Sequence, residues 1–283
     1  MNVIRAFLSK IKETRIKNIR ETCVCLCQRR SVSEHIWRVS DKEDDPFIPK
    51  YYFRCPHCGS FSAPKIVFPK EKYSTLPIEF YAKGPLTGQL AETRVSAIRT
   101  RLEGGAPLLL DLGAGGGWVA KAFVSSLPGA SAIACEADAR LEAVYYADAA
   151  GVRFEGRWID DFLDDFVARG RTADAVAMTD VLEHMIFPEA TVRRIHKAMR
   201  PGGIGYFVVP NAQTFMPPHP FPVAARDVDW PHALRTCQHI WMMSPEAFEG
   251  LFTAAGFEVL AHDLALETDI RRDSVYSTVI VRR

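Results

Sequence analysis

Asp111, Gly113, Gly115 and Gly117 stand at alternate positions directly after the apolar run Leu108-Leu109-Leu110. An apolar run that ends in an acid and a glycine-rich turn, with a helical pattern behind it, reads as a buried parallel strand delivering its carboxyl end to a ligand. Glycine lets the backbone approach that ligand closely and adopt positive φ. The spacing is not that of the dinucleotide fingerprint, because Trp118 occupies the place of its third glycine. The carboxylate two residues before the first glycine narrows the chemistry further. It would repel a pyrophosphate and favour a ligand that carries positive charge. A second acid, Glu136, lies about 20 residues beyond the glycines, where a carboxylate can accept both hydroxyls of a ribose.

Two further groups could do chemistry. Asp180-Val-Leu-Glu183-His184 follows a predicted strand over Ala173–Thr179, so His184 falls at the carboxyl end of that strand. The ordinary pKa of an imidazole suits a general base near neutral pH, although a histidine there could equally orient the loop. Separately, Cys23, Cys25 and Cys27 are followed after 27 residues by Cys55-Pro-His-Cys58-Gly59. Cys-x-x-Cys-Gly directs two thiolates at one metal, and two such arms make a closed, structural Cys₄ zinc site. The first arm leaves the pair open, since Cys23/Cys27, Cys25/Cys27 and Cys23/Cys25 all remain. No βαβ pattern surrounds Cys55 and Cys58, which counts against a redox pair.

Periodicity supplies the elements that must position these residues. Helical patterns cover Leu86–Leu102, Gly117–Ser126, Ala137–Ala150, Trp158–Ala168, Pro188–Met199 and Pro245–Ala255. Strands are predicted at Pro107–Leu112, Ser131–Cys135, Val152–Glu155, Ala173–Thr179, Ile204–Val209, Phe257–Leu260 and about Ser274–Val281, with Pro201-Gly202-Gly203 ending the fifth helix. Strand and helix alternate, so the sheet is doubly wound and parallel. The last two strands have no helix between them, and the final one is therefore expected to run antiparallel.

Asp111-x-Gly113-x-Gly115-x-Gly117 resembles motif I of the class I S-adenosylmethionine (AdoMet) methyltransferases. Ala173–Pro188, running on through Arg200-Pro201-Gly202-Gly203 to Val209-Pro210-Asn211, resembles the fourth-to-fifth-strand region of their ubiquinone- and sugar-type small-molecule members. His239-Ile-Trp-Met-Met-Ser244-Pro245 and Ala254-Ala-Gly-Phe-Glu-Val259 continue the likeness, which spans roughly residues 85–265. The implied fold is a Rossmann-like seven-stranded α/β sheet preceded by a small Cys-rich zinc-binding module, as in some sugar-modifying members. The implied cofactor contacts are Asp111, Gly113, Ala114, Gly115, Gly117, Glu136, Ala137, Asp160, Asp161, Thr179, Asp180 and Val181, with an acid at 160 or 161 on the adenine amino group. The ammonium and sulfonium of AdoMet agree with an acid at 111. The resemblance also offers catalytic roles to His184, Asp180, Glu183 and His239. Similar constellations hold a divalent ion in some ubiquinone-pathway and small-RNA 3′-end methyltransferases, for which oxygen and imidazole ligands would suit Mg²⁺ or Mn²⁺, whereas many relatives with the same Glu-His pair use no metal. Asp180 departs from the family, where glutamate is common, and so does the crowded arm Cys23–Cys27.

Composition bounds the rest. The 283 residues are 48% apolar, enough for one large domain and an appendage. The expected divisions are a basic segment 1–22, a Cys-rich module 23–70 and a methyltransferase domain 85–283. With 35 basic against 34 acidic residues, a sequence-independent grip on nucleic acid is not indicated. No apolar stretch approaches the ~20 residues that span a bilayer. Val3–Leu8 is interrupted by Arg5 and too short for a secretory signal, so a cytoplasmic protein is expected. Residues 1–20 carry six basic side chains against Glu13 on a roughly helical apolar pattern. Such a helix could rest on an anionic membrane surface or a partner, or pack on its own domain. Asn211–Cys237 is a long insertion rich in proline, aromatics and histidine, suited to a lid over an acceptor. Three functions stay open at this level: methylation of a small molecule, with a saccharide or glycolipid precursor favoured; methylation of RNA or protein grasped by the zinc module; and AdoMet binding without catalysis.

Overall fold

The structure, a computed structural model, describes residues 26, 36–38, 51–55, 57–62, 77–82, 85–211, 239–263, 268–269 and 274–283. The basic segment 1–20, Cys23, Cys25, Cys27 and the insertion over 212–237 lie outside the described residues.

The chain lays down β1 (Ile36–Arg38), β2 (Tyr51–Arg54), β3 (Phe61–Ser62), α1 (Pro85–Arg99), β4 (Leu108–Leu112), α2 (Trp118–Ser126), β5 (Ser131–Glu136), β6 (Val152–Gly156), α3 (Ile159–Ala168) and β7 (Ala173–Thr179). It continues with α4 (Pro188–Ala198), β8 (Met199–Pro210), β9 (Trp241–Met242), α5 (Pro245–Ala254), β10 (Glu258–Asp263), β11 (Thr268–Asp269) and β12 (Ser274–Arg282). The main sheet runs β10-β12-β8-β7-β4-β5-β6, and β11 adds only a short pairing to β12. Five neighbours, β8, β7, β4, β5 and β6, are parallel. β12 is antiparallel to both β8 and β10, as the missing intervening helix predicts. β5 lies on one side of β4 and β7 on the other, so the winding reverses beside β4. In open α/β sheets the crevice at that reversal, outside the carboxyl ends of the strands, receives the ligand.

Central strands are apolar on both faces because helices cover both. Leu109 of β4 enters the core with Val95 and Ile98 of α1 and Phe123 of α2. Its neighbour Leu110 enters the opposite core with Phe166 of α3, Ile195 of α4 and Phe252 of α5. Strand side chains alternate between faces, and the continuous Leu run follows from that two-sided burial.

Three expectations need correction. The helix expected over Ala137–Ala150 is replaced by a tight turn and one π-helical turn, Glu142–Tyr146. The Glu136 carboxylate takes the Ala137 and Asp138 amides, and Asp138 in turn accepts from the Arg140 amide, so the backbone turns before it can wind. The fifth strand starts at Met199, not Ile204; a register shift against β7 absorbs Arg200–Gly203, where Gly202 N–H donates to the carbonyl of Arg283. The sixth strand extends to Asp263. A four-stranded sheet, β1-β2-β3-β9, is also present that periodicity did not indicate. It joins the N-terminal region to a segment that follows the fifth parallel strand. Among the described residues, no helix is long and apolar enough to cross a membrane.

Candidate active site

Beyond β4 the chain is bent back by its glycines. Gly113 (φ 73°) and Ala114 both donate to the carbonyl of Cys135 at the end of β5, at 2.8 and 3.1 Å. A Cβ on Gly113 would lie 2.3 Å from a methyl of Val181, so the turn after β4 and the loop after β7 touch where only glycine fits. Gly117 (φ 71°) starts α2, and a Cβ there would meet the Tyr146 ring at 2.5 Å. Tyr146 donates its hydroxyl to the carbonyl of Gly115 at 2.7 Å. The extra residue of the π turn falls in the segment that brings Tyr146 inward, and such turns recur at functional sites.

Two acids brace this turn. Glu136 accepts from Gly115 N–H at 3.1 Å through one oxygen, and from the Ala137 and Asp138 amides at 2.7 and 3.2 Å through the other. Burial pushes its carboxyl above the ordinary range, against those three hydrogen bonds. Asp111 is buried and accepts from Ala120 N–H of α2 at 3.0 Å. Burial raises its pKa to about 6, opposed by the Ala120 hydrogen bond and the charge of Arg94. Arg94 also donates to Thr179 Oγ1 at 3.2 Å, at the carboxyl end of β7.

Arg94 was not singled out from the sequence. Its signal was a cation on the face of α1 that carries buried Ala91, Val95 and Ile98. Tyr81 was missed too: its carbonyl accepts from Trp118 Nε1 at 3.1 Å, and its ring lies 3.1 Å from where a Cβ of Gly115 would stand. Asp160 and Asp161 part ways. Asp160 accepts from Thr191 Oγ1 of α4 at 2.8 Å and faces Arg194, whereas Asp161 is exposed.

The raised Asp111 pKa gives a pH prediction. A cationic ligand held beside Asp111, as the resemblance implies for AdoMet, would prefer the carboxylate and lower the Asp111 pKa on binding. AdoMet affinity is then expected to fall as pH drops below about 6 and to level off above it. Calorimetric titration between pH 5 and pH 8 reads this, and Asp111→Asn should flatten the profile. A wild-type profile flat across that range would remove the charge role from Asp111.

At the carboxyl end of β7, Asp180 takes the left-handed conformation at φ 57°, tolerated by Asp better than by most residues. A short 3₁₀ turn, Leu182–His184, follows. Glu183 is only 1% exposed, and neither of its oxygens has a hydrogen-bond partner among the described residues. Its pKa is driven well above the carboxylate range by burial and then by the charge of Asp180. His239 Nε2 lies 3.8 Å from Glu183 Oε1, and the His184 and His239 rings meet edge-on at 4.7 Å. Ligand atoms of Glu183, His184 and His239 all fall within 4.8 Å of one another. Asp180 is exposed and stands outside this trio. A buried carboxylate without hydrogen bonds is costly unless it is protonated or faces a cation. The trio thus fits a divalent ion with one oxygen and two imidazole donors, and equally fits an acid–base cluster in which His184, the half-buried member, faces outward.

At the N-terminal side, Cys55 is buried and Cys58 half-buried. Gly59 (φ 75°) donates to the carbonyl of Cys55 at 3.0 Å, and Cys55 N–H to that of Ser60 at 2.8 Å, which folds the knuckle into a tight loop. Leu26, between Cys25 and Cys27 in sequence, is buried in the same core cluster that Cys58 packs against.

With this geometry in place, the comparisons with known proteins converge. The family model described as "Methyltransferase domain" matches residues 89–262, more than half of the chain. No curated protein sequence matches. Among solved structures, an S-adenosylmethionine-dependent methyltransferase from Mesorhizobium loti superposes with a TM-score of 0.50 at 17% identity, over 68% of this chain and 98% of that one. The Burkholderia thailandensis 1,6-didemethyltoxoflavin-N1-methyltransferase, with bound 1,6-didemethyltoxoflavin and S-adenosylhomocysteine, gives 0.51 at 16%, over 81% and 98%. The N-methyltransferase NodS from Bradyrhizobium japonicum WM9, in complex with S-adenosylhomocysteine, gives 0.51 at 12%, over 76% and 96%. These likenesses establish the fold, the family match covers the site, and the chain belongs to the S-adenosylmethionine-dependent methyltransferases.

Proposed function

We propose that the protein transfers the methyl group of AdoMet to a hydroxyl of a small polar acceptor, of the saccharide or glycolipid-precursor class. The observation that carries this reading is the trio Glu183, His184 and His239 at the carboxyl end of β7, next to the loop that touches Gly113. The fold is shared with N-methyltransferases and does not choose the acceptor atom. A neutral amine needs alignment with the donor and little else, whereas a hydroxyl also needs its proton removed. A carboxylate backing two imidazoles supplies that base.

On the cofactor side, Glu136 is the ribose acceptor, Asp111 and Arg94 supply charge of both signs, and Thr179–Val181 with the Gly113–Gly117 turn form the crevice walls. AdoMet supplies a methyl already activated by its sulfonium, so the protein's work is alignment and proton removal. His184 takes the hydroxyl proton, and His239 and Glu183 hold it in place behind. A divalent ion held by the trio would lower the acceptor's own pKa. The knuckle at Cys55 and Cys58, with two of Cys23, Cys25 and Cys27, is proposed to hold a structural zinc; the burial of Leu26 in the core cluster that Cys58 packs against supports it.

The test uses purified full-length protein, methyl-labelled AdoMet and a fractionated cell extract. Label in polar small molecules or extractable lipid-linked saccharide is the expected outcome. Label in precipitated RNA or protein would replace the acceptor class, and AdoMet binding without transfer to any fraction would favour a regulatory protein.

A further inference from the structure

The segment that carries His239 is held from two directions. From within the methyltransferase fold, Glu183 offers its carbonyl to Ile240 N–H at 2.8 Å, and Met185 accepts from Trp241 Nε1 at 3.0 Å. From the N-terminal region, β3 pairs with β9, Phe61 opposite Met242 and Ser62 opposite Trp241. A two-residue pair is too short to hold a register unaided. What reinforces it is a hydroxyl contact between residues 184 positions apart. Ser60 is 2% exposed and Ser244 1%. Ser60 Oγ donates to Ser244 Oγ at 3.1 Å and accepts from Ser244 N–H at 2.9 Å. Cys58 Sγ lies 3.2 Å from the same Ser60 oxygen, and Cys55 N–H donates to the Ser60 carbonyl at 2.8 Å. Ser244 Oγ in turn accepts from Ala247 N–H at 3.3 Å, capping α5. One buried serine therefore connects the cysteine knuckle, the start of α5 and the strand that follows His239.

We infer that Ser60 is a positioning residue of the acceptor side: through Ser244 and the β3–β9 pair, the N-terminal knuckle fixes His239 against Glu183. The inference rests on the reading of Glu183, His184 and His239 as the acceptor-side cluster. It gives the N-terminal region a part in the chemistry that differs from a docking arm. The cofactor side is tied independently, by Cys135, Glu136 and Tyr146. Loosening the knuckle should thus reach the acceptor cluster and leave the AdoMet crevice alone.

Ser60→Ala in the full-length protein tests this. It removes the acceptor of a buried amide, and opening of the tethered segment should become easier. Amide exchange over 240–244 is expected to accelerate at least about tenfold relative to wild type, with the amides of β4 and β7 unchanged. AdoMet affinity should stay within about twofold, while label transfer at saturating AdoMet falls at least about tenfold. Ser60→Thr, which keeps the hydroxyl, should restore both. Unchanged exchange over 240–244, or a loss of AdoMet affinity equal to the loss of transfer, would overturn the inference. If Ser60→Ala does not fold, wild-type exchange in rising denaturant decides. Residues 61–62 and 240–243 should open in one event, and protection of 240–243 after 61–62 have opened would contradict the coupling. Binding of AdoMet with no transfer by wild type would instead count against the proposed function and leave the exchange result standing.

Discussion

Glu183→Gln is expected to lower methyl transfer at least about a hundredfold while AdoMet affinity changes by less than about threefold. The substitution keeps the shape of the side chain and removes its capacity to be an anion. In the structure the carboxylate is buried, makes no hydrogen bond among the described residues, and lies 3.8 Å from His239 Nε2. Two states satisfy such a group. As an anion it would face an imidazolium or a divalent ion, whose charge would offset the upward push of burial on its pKa, and the amide could replace it in neither. As a neutral carboxylic acid it would be mimicked well by glutamine. Label transfer therefore separates the two, with strong loss expected and near-wild-type activity pointing to the neutral acid. Mn²⁺ titration followed by electron paramagnetic resonance adds a readout independent of turnover. Saturable binding by wild type, lost in Glu183→Gln and in His239→Ala, would assign the ion to this trio. Activity retained in full in chelator would leave it as an acid–base cluster. Circular dichroism and a thermal melt must first show both variants folded.

Glu136→Ala is expected to cost AdoMet affinity at least about thirtyfold and also to lower the melting temperature. The carboxylate accepts from three backbone amides, at Gly115, Ala137 and Asp138. The buried Asp138 amide left without an acceptor costs about 1–3 kcal/mol and the half-buried Gly115 and Ala137 amides less, with water entering the truncated site recovering part of it. The loss acts where it matters, since Gly115 belongs to the turn proposed to line the crevice and Ala137 opens the adjacent loop. Loss of the proposed ribose acceptor would add to the loss of the brace. Glu136→Gln should fall between, because it keeps one acceptor oxygen and turns an amide donor toward backbone N–H groups. Calorimetry with AdoMet, read beside a melt of the unliganded protein, separates the roles. A lower melting temperature with unchanged affinity would reduce Glu136 to a structural brace.

The strand, turn and helix of the proposed cofactor side were legible because their signals are local. Asp111 through Gly117 fit one strand–turn–helix unit, and Glu136 sits one strand further on at the spacing that a βαβ unit imposes. The parallel, doubly wound sheet followed from alternation, and the antiparallel β12 from a missing helix. What stayed hidden depends on contacts between distant residues. Arg94 and Tyr81 precede the turn they serve, and only closure of the sheet brings them to it. The π turn at Glu142–Tyr146 kept the composition of a helix, so periodicity described an α-helix where the Glu136 and Asp138 carboxylates had already redirected the backbone. The small sheet escaped notice because β3 and β9 have two residues each, too few for an alternation to register. Glu183 and His184 were visible as a pair. The resemblance had added His239, which the structure brings in beside them; that Asp180 would turn outward was a matter of tertiary placement.

The measurement that bears most directly on the account is a single-turnover transfer. Wild-type protein and Glu183→Gln, each preloaded with methyl-labelled AdoMet, are mixed with the small-molecule fraction of a cell extract. The account predicts that both proteins hold the label at the start, and that only wild type passes it to an acceptor in that fraction. Equal transfer by both proteins, or transfer only when precipitated RNA or protein is supplied, would contradict it.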